Sequence, residues 1–155
     1  MLTIEEKLKS LNIILPAPMK ALANYVPWVK TGNLVFVSGQ GAMVGGKVEC
    51  AGKLGATVSL EEGQKSARLT AINIIAQLRD AAGGDLGKVK RIVKLVGFVN
   101  CTPDFSDQPK VINGASDLMV EVFGEKGRHA RSAVGIAALP LNFSVEIEAI
   151  AELES

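Results

Sequence analysis

From Phe143 the chain alternates in steps of two. Phe143, Val145, Ile147, Ala149 and Ala151 fall on one side, and Ser144, Glu146, Glu148, Ile150 and Glu152 on the other. Period two is what a strand with unlike faces requires, so this stretch reads as a strand with one face in a core. Upstream, Ser132 to Ala137 is too apolar and too rich in Ala and Gly to face water on either side, and reads as a second strand. Leu139-Pro140-Leu141-Asn142 is the short turn that joins them. Arg131 therefore enters one strand while two glutamates lie along one face of the next. A guanidinium and a carboxylate at adjacent strand ends form either a site for a small acid or a structural ion pair.

The remaining elements follow from caps, breakers and periodicity. Thr3-Ile4-Glu5-Glu6 spells a capping box and predicts a short helix over residues 3–11, an extension ahead of the main domain. Leu15-Pro16-Ala17-Pro18 is a stiff connector. Val26–Val29 and Leu34–Ser38 pair as a hairpin about Thr31-Gly32-Asn33. Gly39 to Thr57 holds six of the sixteen glycines, but no GKS or GKT follows and the spacing is not GxGxxG. Hairpin turns are the reading, not a phosphate cradle. Ser59-Leu60-Glu61-Glu62 is a second capping box and opens the longest helix. Its apolar stripe is Ala67, Thr70, Ala71, Ile74, Ile75 and Leu78, and Gly83-Gly84 ends it.

Val89–Val99 is a strand whose nearly continuous apolar run from Ile92 suggests burial on both faces. Asp107-Gln108-Pro109 begins another helix, with Val111, Ala115, Leu118, Met119 and Val122 as its stripe and Gly124 as its end. The order predicts a single α+β domain over residues 1–155, a mixed β-sheet with two helices packed on one face. The other sheet face is left needing cover.

At 155 residues one core is expected. A formal charge of +1 gives no electrostatic footprint for nucleic acid or for an acidic membrane. Hydrophobic residues at 48% are many for a small domain without a membrane span, which points to burial between subunits. The acids at Glu5 and Glu6 are unlike a secretory leader, so a cytoplasmic location is expected. Cys50 and Cys101 stand far apart without a CxxC and read as free thiols; no metal site is expected. His129, the one histidine, reads as a solvated loop residue. Lys88, Lys90, Arg91 and Lys94 fall on different sides of a strand, and Trp28 reads as packing at a hairpin.

Arg131-Ser132-Ala133-Val134, Leu139-Pro140 and Val145-Glu146-Ile147-Glu148-Ala149-Ile150-Ala151 together resemble the C-terminal signature of the RidA family, the YjgF group often labelled endoribonuclease L-PSP. Tyr25 and Thr31 to Gln40 are similar to that family's first strands, so the resemblance runs from about Pro18 to Glu152. The longer glycine-rich loop suggests a longer-chain branch. The resemblance implies a chorismate mutase-like fold, a homotrimer with its sheets around a central barrel, clefts between subunits as the pockets, and no cofactor.

It also implies roles. Arg131 would hold the carboxylate of an imine or enamine derived from an amino acid, since a planar fork binds carboxylate bidentately. Ala133 stands where many members carry cysteine; alanine excludes thiol chemistry and leaves only backbone groups. Glu146 would orient water or shuttle protons, Tyr25 would cap the pocket, and Ser38 and Gly39 would line it. Glu148 shares the face of Glu146, and Glu152 is expected to be a surface charge. The implied activity is deamination of 2-imino and enamino acids to 2-keto acids and ammonia. The alternatives are a non-catalytic trimer that binds a small carboxylate metabolite and, third, an endoribonuclease. Near-zero charge and a single loop histidine argue against the last.

Overall fold

The computed structural model describes residues 1–21 and 23–155. A five-stranded sheet is built from β1 (Trp28–Thr31), β2 (Leu34–Gly41), β5 (Val89–Asn100), β6 (Ala130–Ile136) and β7 (Val145–Leu153) in the order β1-β2-β7-β5-β6. β5 and β6 run parallel and the other pairs antiparallel, so the sheet is mixed as expected. Two further strands, β3 (Met43–Val44) and β4 (Lys47–Val48), form a small hairpin inside the glycine-rich stretch. Gly45 and Gly46 make its turn with φ of 58° and 78°, a conformation that side chains resist.

Among the described residues three α-helices complete the fold: α1 (Ile4–Ser10), α2 (Leu60–Ala81) and α3 (Gln108–Phe123). Both predicted capping boxes are present. Thr3 and Glu6 close one at the start of α1, and Ser59 and Glu62 the other at the start of α2. Gly83 and Gly84 follow α2 with φ of 68° and 97°. The α2 stripe (Ala67, Thr70, Ala71, Ile74, Ile75, Leu78) is fully buried, as are Val111, Ala115, Leu118 and Met119 of α3. α2 packs over β2 and β7, and α3 over β5 and β6, so the two long helices share one sheet face. Each buried leucine or isoleucine in that layer is worth about 1.5–3 kcal/mol.

Three features differ from the sequence reading. The first concerns neighbours: β5 lies between β6 and β7, so the strands carrying Arg131 and Glu146 are not adjacent. The chain from Ile136 to Val145 crosses the end of β5 instead of turning tightly. Asn100, buried at that end, donates to the Phe143 carbonyl at 3.0 Å and accepts from Lys53 Nζ at 2.7 Å. Lys53 also donates to the Ala137 carbonyl, which ties the glycine-rich stretch across the end of β6.

The second concerns β5, which is fully covered on its helix side only. Register shifts at Val89/Arg91 and Ile92/Lys94 break its alternation, so Val89, Ile92 and Leu95 point inward at intervals of three. Its apolar run is continuous because Val96 and Phe98, on the face away from the helices, are apolar too, although that face is only partly covered within one chain.

The third concerns β6, which is an edge strand. Its apolar residues are not sealed within one chain, and Val134 is 44% exposed. On the sheet face away from the helices, Val29 (53% exposed) and Phe36 near one edge and Val134 at the other are uncovered apolar side chains. Among the described residues no helix is long and apolar enough to cross a membrane.

Candidate functional site

The Ser38-Gly39-Gln40 segment is a β-bulge. Val37 pairs with Ala149 and Gln40 with Ile147, so Ser38 and Gly39 together oppose Glu148 alone. Each residue has a part in it. The Ser38 hydroxyl donates to the Val26 carbonyl at 3.0 Å, and the Gln40 amide donates to the Ser38 carbonyl at 3.1 Å. Gly39 makes room for Glu146: a Cβ there would sit 2.9 Å from its carboxylate carbon. Glu146 is thus half-buried against backbone. Burial, and next the charge of Glu148, push its carboxyl above the usual carboxylate range. A shallow cleft of about 420 Å³ is lined among others by Ser38, Lys94, Val96, Glu148 and Ile150; its wall carries the Glu148 carboxylate, and Glu146 is not part of the lining. Tyr25 is 56% exposed, ahead of the Val26 and Pro27 carbonyls that receive the Ser38 bonds.

Arg131 lies elsewhere. It pairs with Leu95, which pairs with Ala149, and both partners face the helices. Its guanidinium Nη1 accordingly donates to Asn113 Oδ1 at 2.8 Å and to Ser116 Oγ at 3.1 Å on α3. Those two bonds use both hydrogens of Nη1 and leave the Nε/Nη2 edge as the fork that can grip a carboxylate. Ala133 and Gly135 follow on the same side of β6. The row ends at an open cleft of about 400 Å³ lined by residues including Cys101, Phe105, Gln108 and Gly135.

Glu146, by contrast, points away from the helices, since Val145 and Ile147 beside it are buried beneath them. Within one chain the structure therefore brings Ser38, Gly39 and Glu146 together, and Arg131 and Ala133 together. It does not join the two groups, which occupy opposite sheet faces with β5 between their strands.

The sequence reading missed Asn113 and Ser116, and it misplaced His129. The two α3 residues are a polar pair at i, i+3 beside an apolar stripe, the one local signal that marks them. His129 is half-buried, with Nε2 2.9 Å from Ser116 Oγ and Nδ1 2.6 Å from the Gly127 carbonyl, so it is not a solvated loop residue. Trp28 does pack at the hairpin and also donates to Asp80 at 2.9 Å.

The fold and these motifs define a class. A family model described as YjgF/chorismate mutase-like, with a provisional endoribonuclease label, matches residues 5–153. The chain belongs to this family. Over 155 residues it is 47% identical to Protein TCP17 of Trypanosoma cruzi, covering 98% of this chain and 95% of the relative. It is 30% identical to a 2-iminobutanoate/2-iminopropanoate deaminase of Dermatophagoides farinae, over 90% of this chain and 93% of the relative. Among solved structures it resembles Atu1372 of Agrobacterium tumefaciens, a protein of unknown function. The identity is 50% and the TM-score 0.92, with 97% of this chain and 92% of that one covered.

Proposed function

We propose that the chain hydrolyses 2-imino and enamino acids to 2-keto acids and ammonia, in clefts completed between the subunits of a homotrimer. The observation that carries this is the split site. A carboxylate fork at Arg131 and a half-buried carboxylate at Glu146 lie on opposite faces of one chain's sheet. Each is half of what the reaction needs, and neighbouring copies can bring unlike halves face to face. The uncovered apolar side chains of the face away from the helices, Val29, Phe36 and Val134 among them, make that face the natural contact between copies. The deaminase relative supports the chemistry.

The steps follow from the groups. The Nε/Nη2 edge of Arg131 holds the substrate carboxylate and so fixes the imine carbon. The backbone at Ala133 holds the nitrogen. Glu146, ionised, takes a proton from water as its oxygen adds to the C=N carbon. It then returns the proton to nitrogen, and the carbinolamine collapses to ketone and ammonia. Ser38 and Gly39 hold Glu146 in place, and Tyr25 closes the cleft. Positioning of this kind lowers a barrier without metal or covalent chemistry. Ala133, lacking a thiol, favours a second reading in which the same cleft binds a carboxylate metabolite without turnover; keto-acid release separates the two.

Two measurements test the assembly and the fork. Light scattering should give about three times the 16.3 kDa chain mass; a monomer or a stable dimer contradicts the cleft. Arg131→Lys should weaken binding of a small 2-keto acid by about 1.5–3 kcal/mol in calorimetry, the value of a lost charge-assisted contact. Superimposable titrations of the two proteins would remove Arg131 from the site.

A further inference from the structure

We propose that His129 is a positioning residue: as the neutral Nδ1–H tautomer it orients the Ser116 hydroxyl, and through it fixes which edge of the Arg131 guanidinium faces a ligand. The inference rests on the carboxylate-binding reading of Arg131 and deepens it.

The direction of each hydrogen bond is forced by its neighbour. The Gly127 carbonyl can only accept, so Nδ1 at 2.6 Å carries the hydrogen. In a neutral ring Nε2 is then a bare acceptor, and at 2.9 Å it takes the Ser116 hydroxyl hydrogen. That hydroxyl has no second hydrogen, so towards Arg131 Nη1 at 3.1 Å its oxygen is the acceptor. Asn113 Oδ1 at 2.8 Å takes the other Nη1 hydrogen. The relay runs Arg131 to Ser116 to His129 to Gly127, and it saturates Nη1. A guanidinium turned out of this position, short of the half-turn that exchanges its equivalent Nη groups, would lose both bonds.

The ring is held neutral by its surroundings. Burial, with a further contribution from the Arg131 charge, keeps His129 below its ordinary value, although the Gly127 carbonyl pulls the other way. Facing it are Arg131 on β6, the uncharged Ser116 on α3 and the Gly127 carbonyl of the preceding turn. Neighbouring Arg128 is engaged with Glu125 at 3.1 Å. The histidine thus acts as an acceptor in a cationic setting, a role that an ammonium or a second guanidinium could not fill.

The test has a ligand-free arm and a ligand arm. Because His129 is the one histidine in the chain, its ring nitrogens can be read in 15N NMR without assignment. At neutral pH they should show the Nδ1–H tautomer. The Arg131 side chain should show restricted rotation about its Nε–Cζ bond, and His129→Leu should release it. A ring protonated on Nε2 at neutral pH, or an Arg131 signal unchanged in His129→Leu, overturns the proposal whatever the ligand does. In the ligand arm, His129→Leu should bind a small 2-keto acid roughly tenfold more weakly, as expected for loss of a bond supporting a charged group. His129→Gln, which keeps an acceptor, should recover most of it at an unchanged melting temperature. Equal affinities of wild type and His129→Leu overturn the proposal too. If wild type itself binds no 2-keto acid, the carboxylate reading of Arg131 fails, and the NMR arm alone decides whether His129 positions the guanidinium.

Discussion

Gly114→Ala is expected to destabilise the fold by about 3 kcal/mol, near the upper end for overpacking. The reason lies where α2 and α3 meet. A Cβ on Gly114 would run into the carbonyl oxygen of Gln64, and the next atoms it meets are also Gln64 backbone. Backbone inside a helix cannot rotate away, so the helices must part, and α2 and α3 carry much of the core. Gly97 is the control. Its Cβ would meet only side-chain atoms of Ile112, and a side chain, even a β-branched one held near one rotamer in a helix, can be displaced where helix backbone cannot, so Gly97→Ala should be the milder of the two. Thermal melts decide it, because each kcal/mol shifts a chain of this size by roughly 2–4 °C. A Gly114→Ala protein that melts with wild type would show that the helices approach less closely than described.

Glu146→Gln is expected to reduce turnover by about 100-fold or more, the usual range for a lost general base, while keto-acid binding at Arg131 is retained. It should also leave stability equal or higher at neutral pH. The sign follows from linkage. A carboxyl raised in the fold, here by burial and by Glu148, is harder to ionise folded than unfolded. The fold is therefore penalised above that raised value, and the penalty fades as pH falls through it towards the unfolded one. Glutamine carries no such penalty at any pH, so any melting advantage of Glu146→Gln should shrink under acid. In the proposed mechanism Glu146 acts in its ionised form, so the acid limb of wild-type turnover is expected above the ordinary carboxylate range. A Glu146→Gln protein with full activity would make this glutamate structural.

How much of this was legible in the sequence depends on the distance over which each feature is decided. Thr3 with Glu6, Ser59 with Glu62, and Gly83-Gly84 act within four residues, and each stands where the spelling placed it. The alternation from Phe143 is equally local, and Val145, Ile147, Ala149 and Ala151 are all buried. What was not legible is set by long-range pairing. The insertion of β5 between β6 and β7 follows from parallel pairing of Lys94–Asn100 with Ala130–Ile136, which no short window encodes. The bulges of β5 hid its true face, because two extra residues reset the alternation midway.

The site shows the same division. Arg131, Glu146, Ser38 and Gly39 were nameable from motifs. That they divide into two groups on opposite sheet faces was not, since the separation lies in the sheet order. His129 was misread because its partner Ser116 is thirteen residues away on α3. A lone histidine beside a loop looks solvated until the helix that receives it is in place.

The central claim is that the Arg131 fork and the Glu146 carboxylate of neighbouring copies make one hydrolytic cleft. The most direct measurement generates imines in place from a panel of amino acids with an amino-acid oxidase and follows 2-keto acid release. Wild type should accelerate release for at least one of them, and Arg131→Ala should not. A mixture of Arg131→Ala and Glu146→Gln chains, dissociated and reassembled, should regain part of the activity, because some clefts then hold both intact halves. Release that is no faster with wild type than with Arg131→Ala across the panel would contradict the account.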